Sequence, residues 1–476
     1  MATKKSSSRS RAKSPASGNE SSGGRPADPA SPAPAPEPQG ELTGRYIVTF
    51  REGAKNEAVA MMSRSAGIGA MASAADWEDG AVNVEEAGAG DLYFDQLDVC
   101  VMSAPPDQLN ALSLAASEEE DSAILAIEPE RYMYTAAVDP SVAPAGDLPL
   151  SEEPGDTVSF SRNYLRGYRD AVVHLYEQLG GGDAAAALAA AAEAFADNEQ
   201  ATWGLAATRV LNSRFSGRGV RVAVLDTGMD LRHPDFAGRA ITSQSFISGE
   251  AAQDGHGHGT HCIGTSCGPQ RPLEGRRYGV AFNAQIFAGK VLSNGGRGPD
   301  GGILAGINWA LTNRCQVISM SLAALAPPST AYEQVAQRAL AAGTLIVAAA
   351  SNDSRRSQGI FQPVGRPANS PSVLAVAAVD SKMKIADFSN RGSATGGGQV
   401  DVAGPGVGVH SCWPMPTRFR SISGTSMATP HVAGIAALWI EARQVTGAAL
   451  WQVLTSNARR LSLPSVDVGA GLVQAP

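Results

Sequence analysis

The stretch VRVAVLDTGMD, residues 220–230, decides the fold. Its apolar residues run almost without interruption up to Asp226, and Gly228 then frees the chain to turn. A short run that is apolar on both faces belongs in a parallel sheet covered on both sides. Four more such runs follow: AQIFAGKVL (284–292), CQVISMSL (315–322), TLIVAAAS (344–351) and SVLAVAAVD (372–380). Helical patterns lie between them, among them GILAGINWALTN (302–313) and TAYEQVAQRALAAG (330–343). This alternation predicts an α/β fold, a parallel sheet sandwiched by helices. Reactive groups in such sheets collect at the carboxyl ends of strands, which makes Asp226 a candidate, although a strand-end Asp also simply caps turns.

Two further segments put catalytic residue types at element boundaries. DGHGHGTHCIGT (254–265) packs His256, His258 and His261 among glycines just before a helix. The H-x-H-x-x-H spacing can supply imidazoles to zinc and is similar to the H-x-H-x-D-H motif of binuclear metallohydrolases. Thr260, however, stands where that motif needs Asp, and no other Cys/His cluster completes a site. The competing reading needs one His, held by an Asp, that takes a proton from a nucleophile. SISGTSMATPHVAG (421–434) offers that nucleophile, since Ser426 opens a helix with a small, core-packing face. A helix-opening Ser is often an N-cap and nothing more. Here Asp226, His258 and Ser426 follow one another as Asp…His…Ser, one of the chain orders in which this triad recurs.

Through DTG, HGTHC and GTSMATPHVAG, residues 200–475 resemble the subtilisin family of serine proteases, close to its proteinase K branch. The resemblance implies that Asp226 orients the imidazole, His258 is general base and acid, Ser426 is the nucleophile and His261 is structural. IVAAASNDS (346–354) is similar to the family's strand ending in Gly-Asn, which assigns Asn352 and the Ser426 backbone N–H to an oxyanion hole. Ser351 replaces the usual glycine. The resemblance further implies a cleft that clamps an extended substrate by β-augmentation between Ser321-Leu322-Ala323-Ala324 and Gly296-Arg297-Gly298. Gly365 matches the floor of the primary pocket. Ala323 and Ala324 stand where the family usually has Gly-Gly, so two methyl groups narrow the pocket wall. Asp300 falls where an aromatic often covers the fourth subsite. Cys262 is implied to lie buried beneath the catalytic His. Pro371, Val373 and Asp401 match the two carbonyls and the carboxylate of a structural calcium site, and hard oxygen ligands suit that ion. No organic cofactor is implied.

Ahead of this domain, YIVTF (46–50), KNEAVAMMSRSAG (55–67), DLYFDQLDVCVMSA (91–104), PDQLNALSLAAS (106–117) and ILAIEPERYMYT (124–135) read as β-α-β-α-β. One more strand near Ala81 to Glu85 would make a small α+β ferredoxin-like domain over 41–136. Its position implies a subtilisin-type prodomain, an intramolecular inhibitor whose tail, near Tyr134 to Val138, threads the cleft. A first cut near Ala136 or Ala137 is expected, with a competing site near Gln200. Residues 1–40, rich in Ser, Pro, Ala and charge, read as a disordered tail. Residues 137–200 read as linker and an Ala-rich helical bridge, and 201–476 as the catalytic domain.

Composition excludes other classes. The 476 residues carry 38 Lys+Arg against 46 Asp+Glu, a net charge of −8, so no general basic field exists to attract nucleic acid. No apolar run reaches the ~20 residues of a membrane span. The basic amino terminus lacks an apolar h-region and the five cysteines lack disulfide or zinc spacing, which together point to a cytoplasmic chain, secretion by another route staying open. The expected function is therefore a serine endopeptidase that hydrolyses peptide bonds of peptide or protein substrates through an acyl-enzyme, made as a self-inhibited precursor. The alternative of another class is an inactive binding or scaffold protein on a subtilisin fold. Such a protein typically shows decay at Asp226, His258, Asn352 or Ser426, and all four are present.

Overall fold

The structure, a computed structural model, describes residues 41–69, 71–85, 87, 91–119, 121–136, 195–393 and 398–476. The expected tail over 1–40 and residues 137–194 of the expected bridge lie outside the described residues.

The front segment runs β1 (Leu42–Phe50), α1 (Lys55–Ala66), β2 (Ala72–Ser73), β3 (Leu92–Phe94), β4 (Val99–Met102), α2 (Pro106–Glu118) and β5 (Ile124–Thr135). Antiparallel pairing gives the order β5-β1-β4-β3, and β2 adds to β3 in parallel. Period-two alternation along β1 sets what each face does. Val48 and Phe50 pack with Met61, Met62 and Leu112 of the two helices, whereas Ile47 joins a core shared with the rest of the protein. Pro106 occupies the first turn of α2, where a missing N–H costs nothing.

Two expectations for this segment need correction. Residues 91–104 form a hairpin, β3 and β4, rather than one strand. Leu97 is fully buried within the turn, so the apolar rhythm runs through it, and Asp98 makes the reversal at φ +48. No strand forms over 81–85 either. Short 3₁₀ turns occupy Ala74–Asp76 and Glu78–Gly80, Val82 and Val84 are buried without strand pairing, and β2 has taken the place beside β3.

The rest of the chain contains α3 (Trp203–Ala207), β6 (Arg221–Asp226), β7 (Ile241–Ser245), α4 (His258–Cys267), β8 (Gln285–Lys290), β9 (Arg297–Pro299), α5 (Asp300–Thr312), β10 (Val317–Met320), β11 (Leu322–Ala323) and α6 (Thr330–Ala341). It continues with β12 (Leu345–Ala349), β13 (Leu374–Val379), β14 (Val402–Pro405), the hairpin β15 (Val409–Cys412) and β16 (Phe419–Ile422), α7 (Thr425–Arg443) and α8 (Gly447–Ser456). The helix expected to run to Gln200 is absent over 195–200. There the side chains of Asp197 and Asn198 take the backbone N–H groups of Trp203, Gln200 and Ala201, the local competition that keeps Asp and Asn out of helix interiors.

A parallel seven-stranded sheet, β14-β13-β12-β10-β6-β8-β7, is the scaffold. Ala223 and Leu225 face a core that contains α5 and α6, while Val222 and Val224 face one that contains α4, α7 and α8. Order reverses around β6: the chain first builds toward β7 and β8, then crosses to β10. Crevices at such reversals, beyond the carboxyl strand ends, are where these sheets hold ligands.

Candidate active site

Asp226 is the last residue of β6 and His258 the first of α4. His258 Nδ1 lies 2.7 Å from Asp226 Oδ1, which also accepts from the Thr227 N–H at 2.7 Å, and both side chains are buried. With Nδ1–H donating to the carboxylate, Nε2 is left as the basic nitrogen, and it is buried without a hydrogen-bond partner. The pair needs α4 to approach the β6 turn closely. A methyl at Gly259 would come within 2.3 Å of the Gly228 carbonyl oxygen. Asp254, which the sequence reading did not single out, fastens this corner. Its carboxylate accepts from the N–H groups of His256, Gly257 and Thr260 and from the hydroxyls of Thr227 and Thr260.

Ser426 stands in the first turn of α7, fully buried. Its carbonyl would ordinarily accept from the N–H four residues on, but that residue is Pro430. Ser321 Oγ donates to it instead at 2.8 Å, with Cys262 Sγ at 3.6 Å. Ser426 Oγ donates to the Ser321 carbonyl at 3.1 Å, so the bond to His258 is not made in this arrangement. Cys262 lies beneath the imidazole, its Sγ 3.9 Å from Nδ1, and burial raises its pKa well above the ordinary thiol range, aided by Asp226.

The three imidazoles of the H-x-H-x-x-H segment do not converge. His261 is fully buried, bonds the Val409 carbonyl through Nε2 at 3.0 Å, and is pushed down to about 3 by burial, so it is a neutral structural group. Among the described residues, the His/Cys/Asp/Glu group with ligand atoms close enough for a metal is Asp226, His258 and Cys262, not the His cluster.

Across the cleft, Asn352 follows β12. Its Oδ1 accepts from Thr425 N at 2.9 Å and Thr425 Oγ1 at 3.0 Å, which fixes the amide plane and aims Nδ2 at the cleft. Thr425 is a second orienting residue that sequence reasoning missed; its place just before Ser426 was the available signal. Nδ2 donates to the carbonyl oxygen of Ala136, and the Ser426 N–H donates to the same oxygen at 3.2 Å.

Ala136 is the last described residue of the front segment, and the residues before it lie between two strands of the rest of the chain. β5 pairs antiparallel with β9 on one side, Met133 opposite Gly298 and Tyr134 opposite Arg297, and with β11 on the other, Thr135 opposite Leu322 and Tyr134 opposite Ala323. Thr135 N donates to Gly296 O and Ala136 N to Ser321 O. Farther back, two carboxylates on one face of β5 meet the amino ends of two helices, where the peptide dipoles favour negative charge. Glu130 accepts from Gly301 N at 2.8 Å, at the start of α5, and Glu128 from Ala331 N at 2.9 Å, at the start of α6.

Asp300 does not lie open over a subsite. It is fully buried at the start of α5, where its carboxylate accepts from Tyr332 Oη at 2.9 Å and Arg131 N at 3.0 Å. Burial pushes it up to about 6 against the pull of Arg366. Met133, three residues before Ala136, is wholly buried among apolar neighbours.

Ala323 clusters with Ala136, and Gly365 lies against the Ala324 carbonyl. At the carboxylate that the resemblance implies for a calcium site, Asp401 Oδ2 accepts from Ala375 N at 2.8 Å, and burial pushes its carboxyl up to about 7. A buried carboxylate is the kind of hard oxygen ligand that suits such a cation.

A carboxylate-held imidazole, a helix-opening serine and two convergent N–H donors at the carboxyl ends of a parallel sheet define an α/β serine hydrolase. The family model described as the subtilase family matches residues 217–472. The chain is 39% identical over 269 residues to Subtilisin DY of Bacillus licheniformis, covering 56% of this chain and 93% of that protein. It is 40% identical over 262 residues to Subtilisin of Bacillus pumilus, covering 54% and 90%. With the Cuticle-degrading serine protease of Arthrobotrys oligospora it shares 36% over 286 residues, 56% of this chain and 65% of that one. The chain belongs to the subtilase family and is a serine endopeptidase acting on peptide or protein substrates.

Proposed function

We propose that Ser426 attacks the scissile carbonyl while His258 takes its proton through Nε2 and later returns it to the leaving amine. Asp226 holds the imidazole tautomer and stabilises the imidazolium. Asn352 Nδ2 and the Ser426 N–H stabilise the oxyanion. Gly296, Gly298, Ser321, Leu322 and Ala323 hold the substrate as the middle strand of three, and Gly365 floors the primary pocket. Residues 41–136 act as the intramolecular inhibitor, and the bond after Ala136 is the processing site. One observation carries this reading: the Ala136 carbonyl oxygen accepts from both Ser426 N and Asn352 Nδ2. An inhibitor held in the position of a substrate would place its last carbonyl there.

Pro371 and Val373 would offer carbonyls and Asp401 its carboxylate to a structural calcium ion. Such an ion would supply positive charge that keeps the buried carboxylate ionised. The five cysteines, all free and buried, support a cytoplasmic location.

Amino-terminal sequencing of the purified protein beside Ser426→Ala tests the catalytic and processing assignments together. Wild type is expected to begin at Ala137 and the variant to keep its full length. A Ser426→Ala protein cut at the same bond by its own action would overturn the nucleophile assignment.

A further inference from the structure

The residue in the position of the cleaved one reports the shape of the primary pocket. Ala136 is 7% exposed, and its methyl packs in a small apolar cluster with Ala323, at the end of β11, and Ala349, at the end of β12. These two strand ends are the pocket walls. They are tied across its floor, since Ala324 and Arg366 exchange backbone bonds at 3.0 and 2.9 Å, and Gly365 N donates to Ala350 O at 3.1 Å.

How far apart the walls stand follows from Gly365. A methyl built on it would lie 3.0 Å from Ala324 O and 3.1 Å from Ser351 Cβ. One point within reach of both atoms means they are no more than ~6 Å apart, whereas a flat ring or branched chain held between two walls at ~3.5 Å contact needs ~7 Å. The Cβ that closes the gap belongs to Ser351, 6% exposed and in the left-handed region at φ +86, where glycine is at ease and a side chain is strained. Its hydroxyl donates to Asp353 Oδ2, so the side chain is anchored rather than free to swing away. A strained non-glycine residue at a binding wall is kept in place by the structure around it, and what it does here is fill space.

We propose that the primary pocket admits only side chains of the size of alanine, that is Gly, Ala or Ser, and that Ser351 and Ala323 set this limit. The enzyme's substrates are then peptides and proteins cut after small residues. This inference rests on the endopeptidase reading above and names its substrate class. A single methylene too many in an apolar pocket costs ~10–200-fold in kcat/KM, so a phenyl ring is expected to cost at least ~10²-fold.

The test uses the self-processed enzyme and peptides with Met at the fourth position and Gly, Ala, Ser, Leu, Phe or Tyr immediately before the cut. For wild type, kcat/KM for Ala is expected to exceed that for Phe by at least ~10²-fold. Ser351→Gly, and independently Ala323→Gly, should lower that ratio at least ~10-fold by raising Phe cleavage, with the gain mostly in KM. A purely structural role for Ser351 would lower all six values together and leave the ratio unmoved, which counts against the proposal. Wild type that cuts after Phe or Leu as well as after Ala overturns the size limit and leaves the endopeptidase reading intact. Failure to cut any of the six, with the Ala136–Ala137 bond also unprocessed, overturns both.

Discussion

Replacing Glu128 by alanine isolates the docking of the front segment from its own folding, because its partners named here belong to the other part of the chain. Glu128 Oε2 accepts from Ala331 N at 2.9 Å and Ser329 Oγ at 3.0 Å, and Oε1 lies 3.8 Å from Arg366 Nη2. Hydrogen bonds to a charged group contribute ~1.5–3 kcal/mol when buried. The side chain is 17% exposed, the Arg366 contact is long, and Arg366 keeps Asp300 at 3.8 Å. The low end of that range for the two hydrogen bonds, with little from the arginine, gives ~2–3 kcal/mol. At ~1.4 kcal/mol per tenfold, the variant segment 41–136 should inhibit the mature enzyme with an inhibition constant ~30–150-fold weaker. Glu128→Gln keeps an acceptor and loses the charge, so it should fall between. The assay is steady-state hydrolysis of an Ala-series peptide with added segment, its thermal melt checked against wild type. A second readout is the lag before activity appears in the full-length precursor, which the substitution should shorten. Inhibition within threefold of wild type from a normally folded Glu128→Ala segment would refute the helix-docking argument.

Three other outcomes are expected. Asn352→Ala should lower kcat by ~10²–10³-fold with KM little changed, the scale for losing one oxyanion donor, and unchanged turnover would remove that assignment. Mercurials should inhibit wild type through Cys262, because a bulky ion beneath the imidazole displaces His258 from reach of Ser426; equal sensitivity of Cys262→Ala would point to another thiol. Asp401, raised from 3.8 to about 7 by burial, binds its proton more tightly folded than unfolded, so in chelator its contribution to stability should fall as pH rises from 4 to 7. Asp401→Asn should flatten that slope, and calcium at pH 7.5 should raise the Tm of wild type but not of the variant. Identical Tm with calcium and with chelator in wild type would end the calcium idea.

What was legible in the sequence was what depends on short-range order. Asp226, His258, Asn352 and Ser426 each sit at an element boundary within a motif, so the strand runs fix their placement. Asp254 and Thr425 were missed because they touch no substrate. They act by holding loops, and an Asp or Thr beside a glycine reads the same in any turn. The hairpin at 91–104 was hidden by Leu97, whose burial carries the period-two rhythm through a turn. The burial of Asp300 was not legible because its surroundings come from β5 and Tyr332, and the chain nearby says nothing of a partner segment that will cover it. Crowding of the primary pocket was legible at Ser351, Ala323 and Ala324; the left-handed φ of Ser351 was not, since local sequence does not announce it for a residue other than glycine.

On the proposed reading, in which residues 41–136 are the inhibitor and the bond after Ala136 is cut, β5 governs when the enzyme becomes active. Its pairings with β9 and β11, its two carboxylates at the helix ends and the Ala136 carbonyl all lie on the amino side of the bond to be cut. Breaking that bond removes none of them. What changes is the concentration against which they work. Before the cut the inhibitor is present at an effective concentration on the order of millimolar, set by its own chain, and afterwards at whatever concentration the solution holds. On that reading cleavage turns a fixed occupancy into a dilutable one, and a processed precursor would stay silent until it is diluted or the freed segment is itself digested.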